Sequence, residues 1–318
     1  MCEENKEIFA VSKEGAGVRI DRYLSDCYPQ WSRSYLQKLL KDENILVGGS
    51  KTKANYKLRE GDEITILIPP LEDVEILPED IPLDILYEDQ WLLIVNKPKG
   101  MVVHPAAGHT SGTLVNAIMY HCQGNLSGIN GQLRPGIVHR IDKDTTGALV
   151  ICKDDTTHRA LAEQLKEHSI TRKYRAIVLG NLSEDGTVEA PIGRHPIERK
   201  KMAINYKNGK SAVTHYHVLE NFQKYTYIEC QLETGRTHQI RVHMTSIGHP
   251  LLGDSTYTKA KWPYKLEGQV LHAMVLGFVH PAMGEYLEVE APLPDYFSQL
   301  LENFRKNSLN FDKKCDIL

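Results

Sequence analysis

The sequence predicts an α+β protein of two domains, a small α/β module followed by a larger domain on a mixed, largely antiparallel β-sheet. Three observations predict it. The 318-residue length suits one large core plus a smaller module. After residue 85, many short β-type runs are interspersed with fewer helical patterns, without the regular strand–helix alternation of a parallel doubly wound sheet. Residues 70–84, "PLEDVEILPEDIPLD", set three prolines among six carboxylates, a composition suited to an extended, self-repelling connector. The expected division is a module at 1–70, an acidic linker at 71–84, the larger domain at 85–305 and a polar tail at 306–318.

In the module, Val18, Ile20, Tyr23 and Leu24 form a short amphipathic pattern, and Ser32 is placed to cap a second helix in "SRSYLQKLLKDEN". Tyr35, Leu36, Leu39 and Leu40 make its apolar stripe, while Arg33, Gln37 and Lys41 recur every four residues on another face. "ILVGGSKTKANYKLREGDEITILI" reads as short strands joined by turns at Gly48-Gly49 and Gly61-Asp62. From Arg33 to Arg59 the basic residues Arg33, Lys38, Lys41, Lys51, Lys53, Lys57 and Arg59 face only Asp42 and Glu43. Such a surface fits a phosphate backbone, or is a solvated face of a small adaptor domain.

In the larger domain, strands are expected at 91–98, 147–153, 173–180, 212–220, 225–233 and 285–292, and helices at 113–122, 157–168 and 237–248. No Gly-rich phosphate loop of either common nucleotide-binding type occurs, so a nucleotide cofactor has no support. The net charge of -3 means that a polyanionic partner must be met by local basic clusters. The six cysteines are scattered without a metal-type or disulfide-type spacing, which fits a reducing, cytoplasmic compartment. The N-terminus lacks the apolar core of an export signal and no run approaches a membrane span.

The stretch "HRIDKDTTG", residues 139–147, sets Asp142 and Asp144 among His139, Arg140 and Lys143. A carboxylate beside cations is favoured in its ionised form, which nucleophilic attack or proton abstraction requires. Three other readings stand beside that one: a divalent-metal DxD pair, a glycosidase pair, and a salt-bridged turn without chemistry. In "ETGRTHQIRVHM", helical spacing relates Arg236, Ile240 and His243 and places Arg236 near a helix start, where its fork can clamp a carboxylate or phosphate. His238 and His243 are five apart, wrong for a helical zinc pair. "RHPIERKKMAINYKNGKSAVTHY", with Arg194, Arg199, Lys200, Lys201, Lys207 and Lys210 against Glu198, is a basic loop or hairpin that taken alone reads as a solvated loop and, beside a candidate catalytic acid and a basic module, as one that grips a backbone. Tyr174 lies between Lys173 and Arg175.

The module's "RIDRYL", "SRSYLQKLL", "ILVGG" and "LREGDEITI" resemble the alpha-L RNA-binding module, with Val47-Gly48-Gly49 where that family usually has Val-Asn-Gly. From about 85 to 295, "VNKPKGMVVHP", "HRIDKDTTG", "RKYRAIV", the basic hairpin and "ETGRTHQIRVHMTSIGHPLLGD" resemble, in order, the signatures of the RluA family of pseudouridine synthases.

The resemblance implies a pseudouridine synthase fold and the isomerisation of uridine in structured RNA, the base being detached from ribose and rejoined through carbon 5. Asp142 is then the essential acid, with Ile141 replacing the commoner Leu, and Tyr174 lies under the uracil or helps to take the carbon 5 proton. Arg236 pairs with Asp142, and Arg140 helps to displace the base. His139, Thr146 and Ile240 complete the substrate-binding set; Arg33, Lys38, Lys41, Arg194, Arg199, Lys200 and Lys201 form the RNA-binding set. The base must leave its stack, which costs a few kcal/mol. The product is an isomer, so neither a redox cofactor nor a metal is required. Ribosomal RNA of the large subunit is the first expected substrate and transfer RNA the second, with a non-catalytic RNA-binding or ribosome-assembly factor as the alternative. A monomer without membrane or protein partners is expected.

Overall fold

The computed structural model describes residues 6–29, 31, 33–67, 76–105, 111–129, 131, 134–198 and 200–315. They fall into two compact units, Met1–Val74 and Glu75–Leu318.

The first unit contains β1 (Lys6–Ala10), α1 (Ile20–Cys27), α2 (Arg33–Lys41), β2 (Ile45–Val47), β3 (Ser50–Lys51) and β4 (Glu63–Leu67). Its antiparallel sheet has the order β1-β4-β2-β3. The expected stripe of α2 is the core face: Leu36, Leu39 and Leu40 pack with Ile20 and Leu24 of α1 against Ile45, Ile64 and Ile66. Gly48 and Gly49 take φ of 55° and 72° in the β2–β3 turn, a conformation that favours glycine. Ser32 lies outside the described residues.

The expected basic face of α2 is only partly available. Arg33 turns onto the buried Asp21, with Nε 3.1 Å and Nη2 2.8 Å from Oδ2, and Gln37 donates to the same oxygen at 3.0 Å. A buried carboxylate needs partners, so α1 recruits two residues of α2 and leaves Lys38 and Lys41 exposed. Burial raises the Asp21 pKa, but hydrogen bonds from Arg33, Arg19 and Gln37 bring it below the ordinary value.

The second unit runs β5 (Ile85–Glu88), β6 (Leu92–Lys97), α3 (Leu114–His121), β7 (Thr146–Cys152), α4 (Asp155–Lys166), β8 (Thr171–Leu179), β9 (Gly186–Glu189), β10 (Ile192–Arg194), β11 (Met202–Ile204), β12 (Val213–Asn221), β13 (Tyr225–Leu232), α5 (Gln239–Ser246), β14 (Leu271–Val279), β15 (Tyr286–Glu290) and α6 (Asp295–Cys315). Nine strands form the main sheet in the order β5-β6-β7-β14-β8-β13-β12-β9, with β15 beside β14. The basic segment forms a separate hairpin, β10–β11.

Alternation along the central strands explains why helices cover both faces. In β7, Leu149 and Ile151 join α3 and α5 on one face, while Ala148, Val150 and Cys152 join Leu161 of α4 on the other. Phe297, Leu300, Leu301 and Phe304 of α6 cover a further part with Ile177. The sheet is antiparallel except where β7 meets β14 at His272 and Ala273. There Gly147 has φ 111°, and a Cβ would lie 2.2 Å from the Ala273 carbonyl oxygen. Only glycine lets the two strands approach so closely just after the acidic loop.

Three expectations on organisation change. Residues 76–84 are not a free connector: Ile76 is buried, Glu79 N–H donates to Asn116 O, and Asn116 Nδ2 donates to Leu77 O. Alternate apolar residues let this acidic stretch pack beside α3. The segment assigned to a polar tail continues α6 as far as Cys315. Strand β14, not expected from sequence, lies at the centre of the sheet. Among the described residues no helix is long and apolar enough to cross a membrane.

Candidate active site

The loop carrying Asp142 is held from below by Lys97, whose side chain is completely buried at the end of β6. Its Nζ donates to the carbonyls of Pro98 at 2.7 Å, Met101 at 2.9 Å and Lys143 at 3.0 Å. Burial lowers the Lys97 pKa to about 7, opposed by Asp144 and Asp142. Gly100 N–H also donates to Lys143 O, and Thr145 N–H closes the turn onto Asp142 O. On the other side Gln269 Nε2 donates to Thr145 Oγ1 at 3.1 Å. The chain direction of Asp142 is thus set by contacts from β6 and the segment before β14.

Arg241 of α5 meets the Asp142 side chain, its Nη1 donating to Oδ2 at 3.0 Å. The remaining edge of the same guanidinium is held by Asp254, with Nε to Oδ2 at 2.7 Å and Nη2 to Oδ1 at 2.9 Å. Burial alone would lower the Arg241 pKa; Asp254 and Asp142 raise it above the ordinary arginine value. A cation shared by two carboxylates satisfies a guanidinium that is 6% exposed. Asp142 Oδ1 faces His238 Nε2 at 3.8 Å, beyond a direct hydrogen bond.

The carboxylate borders two cavities. A small one, about 50 Å³, is walled by Ile141, Tyr174, Leu232, Ile240 and Leu271. A larger one, about 580 Å³, is lined on its basic side by Arg140, Lys143, Lys200 and Lys201. Tyr174, from β8, is 9% exposed, and burial raises its phenol above the ordinary value, so it is protonated at neutral pH.

The structure brings Arg140, Asp142, Tyr174, Arg236 and Ile240 to the small cavity, but it corrects the pairing of Arg236. Helix α5 begins at Gln239, after His238 in the left-handed conformation at φ 56°, so Arg236 lies before the helix and its expected helical spacing fails. Its Nε donates to Ser211 O at 3.0 Å, and Arg241 holds the position against Asp142. Two further residues are turned inward. Thr146 is buried and donates from Oγ1 to His272 Nδ1, while His272 Nε2 donates to Ala291 O. His139 Nε2 accepts the Val150 N–H at 3.1 Å, so that nitrogen serves the loop. Lys200 and Lys201 line the larger cavity, Lys201 also pairing with Glu198 at 2.7 Å. Arg194 stands on β10; Arg199 lies outside the described residues.

Arg241, Asp254, His238 and Tyr257 were not singled out from sequence for this site. A signal for Arg241 existed: it follows Arg236 by five residues in the same motif, and the correct helix start would have turned it inward.

A clamped carboxylate and a buried tyrosine lining one cavity, next to a larger one that Arg140, Lys143, Lys200 and Lys201 border, fit an enzyme working on a polyanion. Residues 91–246 match the family described as RNA pseudouridylate synthase, and residues 18–64 match the S4 domain. An uncharacterized RNA pseudouridine synthase of Bacillus subtilis, YlyB, is 54% identical over 304 residues, covering 95% of this chain and 99% of that one. The ribosomal large subunit pseudouridine synthase D of Zymomonas mobilis is 47% identical over 298 residues, covering 91% and 94%. In structure, human RNA pseudouridylate synthase domain containing 1 is similar with a TM-score of 0.56 and 26% identity, covering 75% of this chain and 98% of that one. The chain belongs to the RluA family of RNA pseudouridine synthases and carries an N-terminal S4 domain. It is therefore an isomerase whose substrate is RNA.

Proposed function

We propose that this enzyme converts uridines of large-subunit ribosomal RNA to pseudouridine, with Asp142 as the reacting group. The observation that carries the chemistry is that Asp142 lines the cavity walled by Tyr174, Leu232 and Ile240 while Arg241 holds only its Oδ2, Oδ1 standing 3.8 Å from His238 Nε2. Oδ1 acts on the ribose, at carbon 1′ or on the carbon 2′ proton, while Tyr174 and the apolar wall receive the displaced uracil. Preorganisation by Arg241 and Asp254 keeps that oxygen aimed without a loss of orientation at the moment of reaction. Arg140 and the Lys200–Lys201 edge of the larger cavity hold flanking phosphates and help to offset the cost of extruding the base.

The choice of ribosomal RNA is supported by relatives named for the large ribosomal subunit, 42–47% identical over at least 90% of this chain. The experiment is a carbodiimide-adduct reverse-transcription map of total RNA from cells with and without the gene, complemented by wild type or Asp142→Asn. Stops in large-subunit RNA are expected to vanish on deletion and return only with wild type. Return of the stops with Asp142→Asn removes Asp142 from the mechanism, and loss confined to transfer RNA overturns the substrate.

A further inference from the structure

A hydrogen-bonded chain leads from the basic hairpin to His238, whose ring faces Asp142 Oδ1. Met202, the first residue of β11, donates its backbone N–H to Tyr257 Oη at 2.9 Å. Tyr257 Oη lies 2.7 Å from His238 Nδ1, and the other ring nitrogen of His238 faces Asp142 Oδ1. The two rings meet edge to face, 5.7 Å between centroids at 89°, and the Tyr257 ring also lies 5.0 Å from the Arg241 guanidinium. The left-handed backbone of His238 carries its ring between the tyrosine and the acid; a non-glycine residue pays for that conformation only where surrounding contacts hold it.

We propose that Tyr257 holds His238 as the Nε2–H tautomer and that this N–H positions the free oxygen of Asp142, His238 and Tyr257 being positioning residues for the isomerisation. The inference rests on Asp142 as the reacting carboxylate. Two arguments select the tautomer. With Nε2–H the chain runs in one sense, Met202 N–H to Tyr257 Oη and O–H to Nδ1, whereas with Nδ1–H the oxygen accepts twice and its own hydrogen has no acceptor among the described residues. The opposite tautomer points an Nε2 lone pair at a carboxylate oxygen, which is repulsive, whereas Nε2–H is attracted to it. Burial lowers the imidazole pKa and outweighs the opposing effect of Asp142, so the ring is neutral and the tautomer matters. At 3.8 Å the N–H steers Oδ1 without occupying it, leaving the oxygen available to the ribose.

The test uses the full chain. Histidine is labelled with ¹⁵N and two-bond N–H correlations are recorded, His238 being assigned by the signal lost in His238→Gln. Wild type is expected to show protonated Nε2, and Tyr257→Phe a mixture of tautomers. In single-turnover assays at saturating RNA, Tyr257→Phe should slow isomerisation about tenfold through misorientation of the acid. His238→Gln, whose amide supplies an N–H near the same place, should remain within about threefold of wild type, and in that background Tyr257→Phe should have no further effect. His238→Leu should lose more activity than His238→Gln. Protonated Nδ1 in wild type overturns the proposal, as does an equal loss from Tyr257→Phe in both backgrounds. If Tyr257→Phe does not fold, the wild-type spectrum and the comparison of Gln with Leu still decide, equal losses overturning it. Turnover by Asp142→Asn instead undoes the reading of Asp142 itself, a result separate from the tautomer.

Discussion

Asp254 accepts both Nε and Nη2 of Arg241, at 2.7 and 2.9 Å, and this leaves Nη1 as the edge that reaches Asp142. The guanidinium is planar, so fixing one edge fixes the direction of the other. Asp254 therefore aims a contact that it does not itself make.

Asp254→Ala should destabilise the second unit by about 3–5 kcal/mol, the usual cost of removing one partner from a buried ion pair, read from urea denaturation. Arg241→Lys supplies a point charge that cannot span both carboxylates, and it should lower kcat more than it changes KM for RNA. A change confined to KM would show that Arg241 serves binding alone.

Lys97→Met should remove the donor from the carbonyls of Pro98 and Met101 and leave Lys143 O with the Gly100 N–H alone. A fully buried polar group left without its partner costs about 1–3 kcal/mol and these partly buried carbonyls less, so the thermal midpoint should fall together with turnover. An unchanged midpoint would mean that water replaces the ammonium and that the loop does not depend on it.

His139 makes stability pH-dependent in a definite direction. Burial lowers its pKa from 6.5 to about 3, with Arg172 adding to the shift, and Nε2 must be unprotonated to accept the Val150 N–H. Between these values the unfolded chain binds a proton that the folded chain does not, so stability rises with pH across this window and is lost as pH falls from 6.5. The slope from this group reaches about 1.4 kcal/mol per pH unit. Urea midpoints measured from pH 7 to 4 should show that slope reduced in His139→Gln; an unaltered slope would assign the acid sensitivity to other groups.

Lys200 and Lys201 line the larger cavity. Replacing either with Gln should reduce the slope of log K against log salt for RNA by about one, if each neutralises one phosphate. Filter-binding titrations between low and physiological salt measure it, and an unchanged slope would place the backbone contacts elsewhere.

Much was legible where the determining information is local. The apolar stripe of α2, the alternating strands and the acidic motif before β7 depend on residues within one turn or one pleat of each other, so spacing alone locates them. Strand β14 was missed because its apolar run, buried in the middle of the sheet, lacks alternation. The acidic stretch 76–84 misled because composition reports charge, whereas its alternate apolar residues decide that it packs.

By itself the sequence determined the family and the two-domain α+β architecture and singled out Asp142 as the candidate acid, because ordered motifs survive without knowledge of what they touch. Only the tertiary structure decided which arginine holds that carboxylate, that Thr146 is buried against His272, that Arg33 is drawn to Asp21, and that Tyr257 and His238 stand in line with Asp142. These contacts join residues distant in sequence, or turn on a single left-handed residue that shifts a helix start. Their energy depends on direction and distance in space, and residue order alone carries neither.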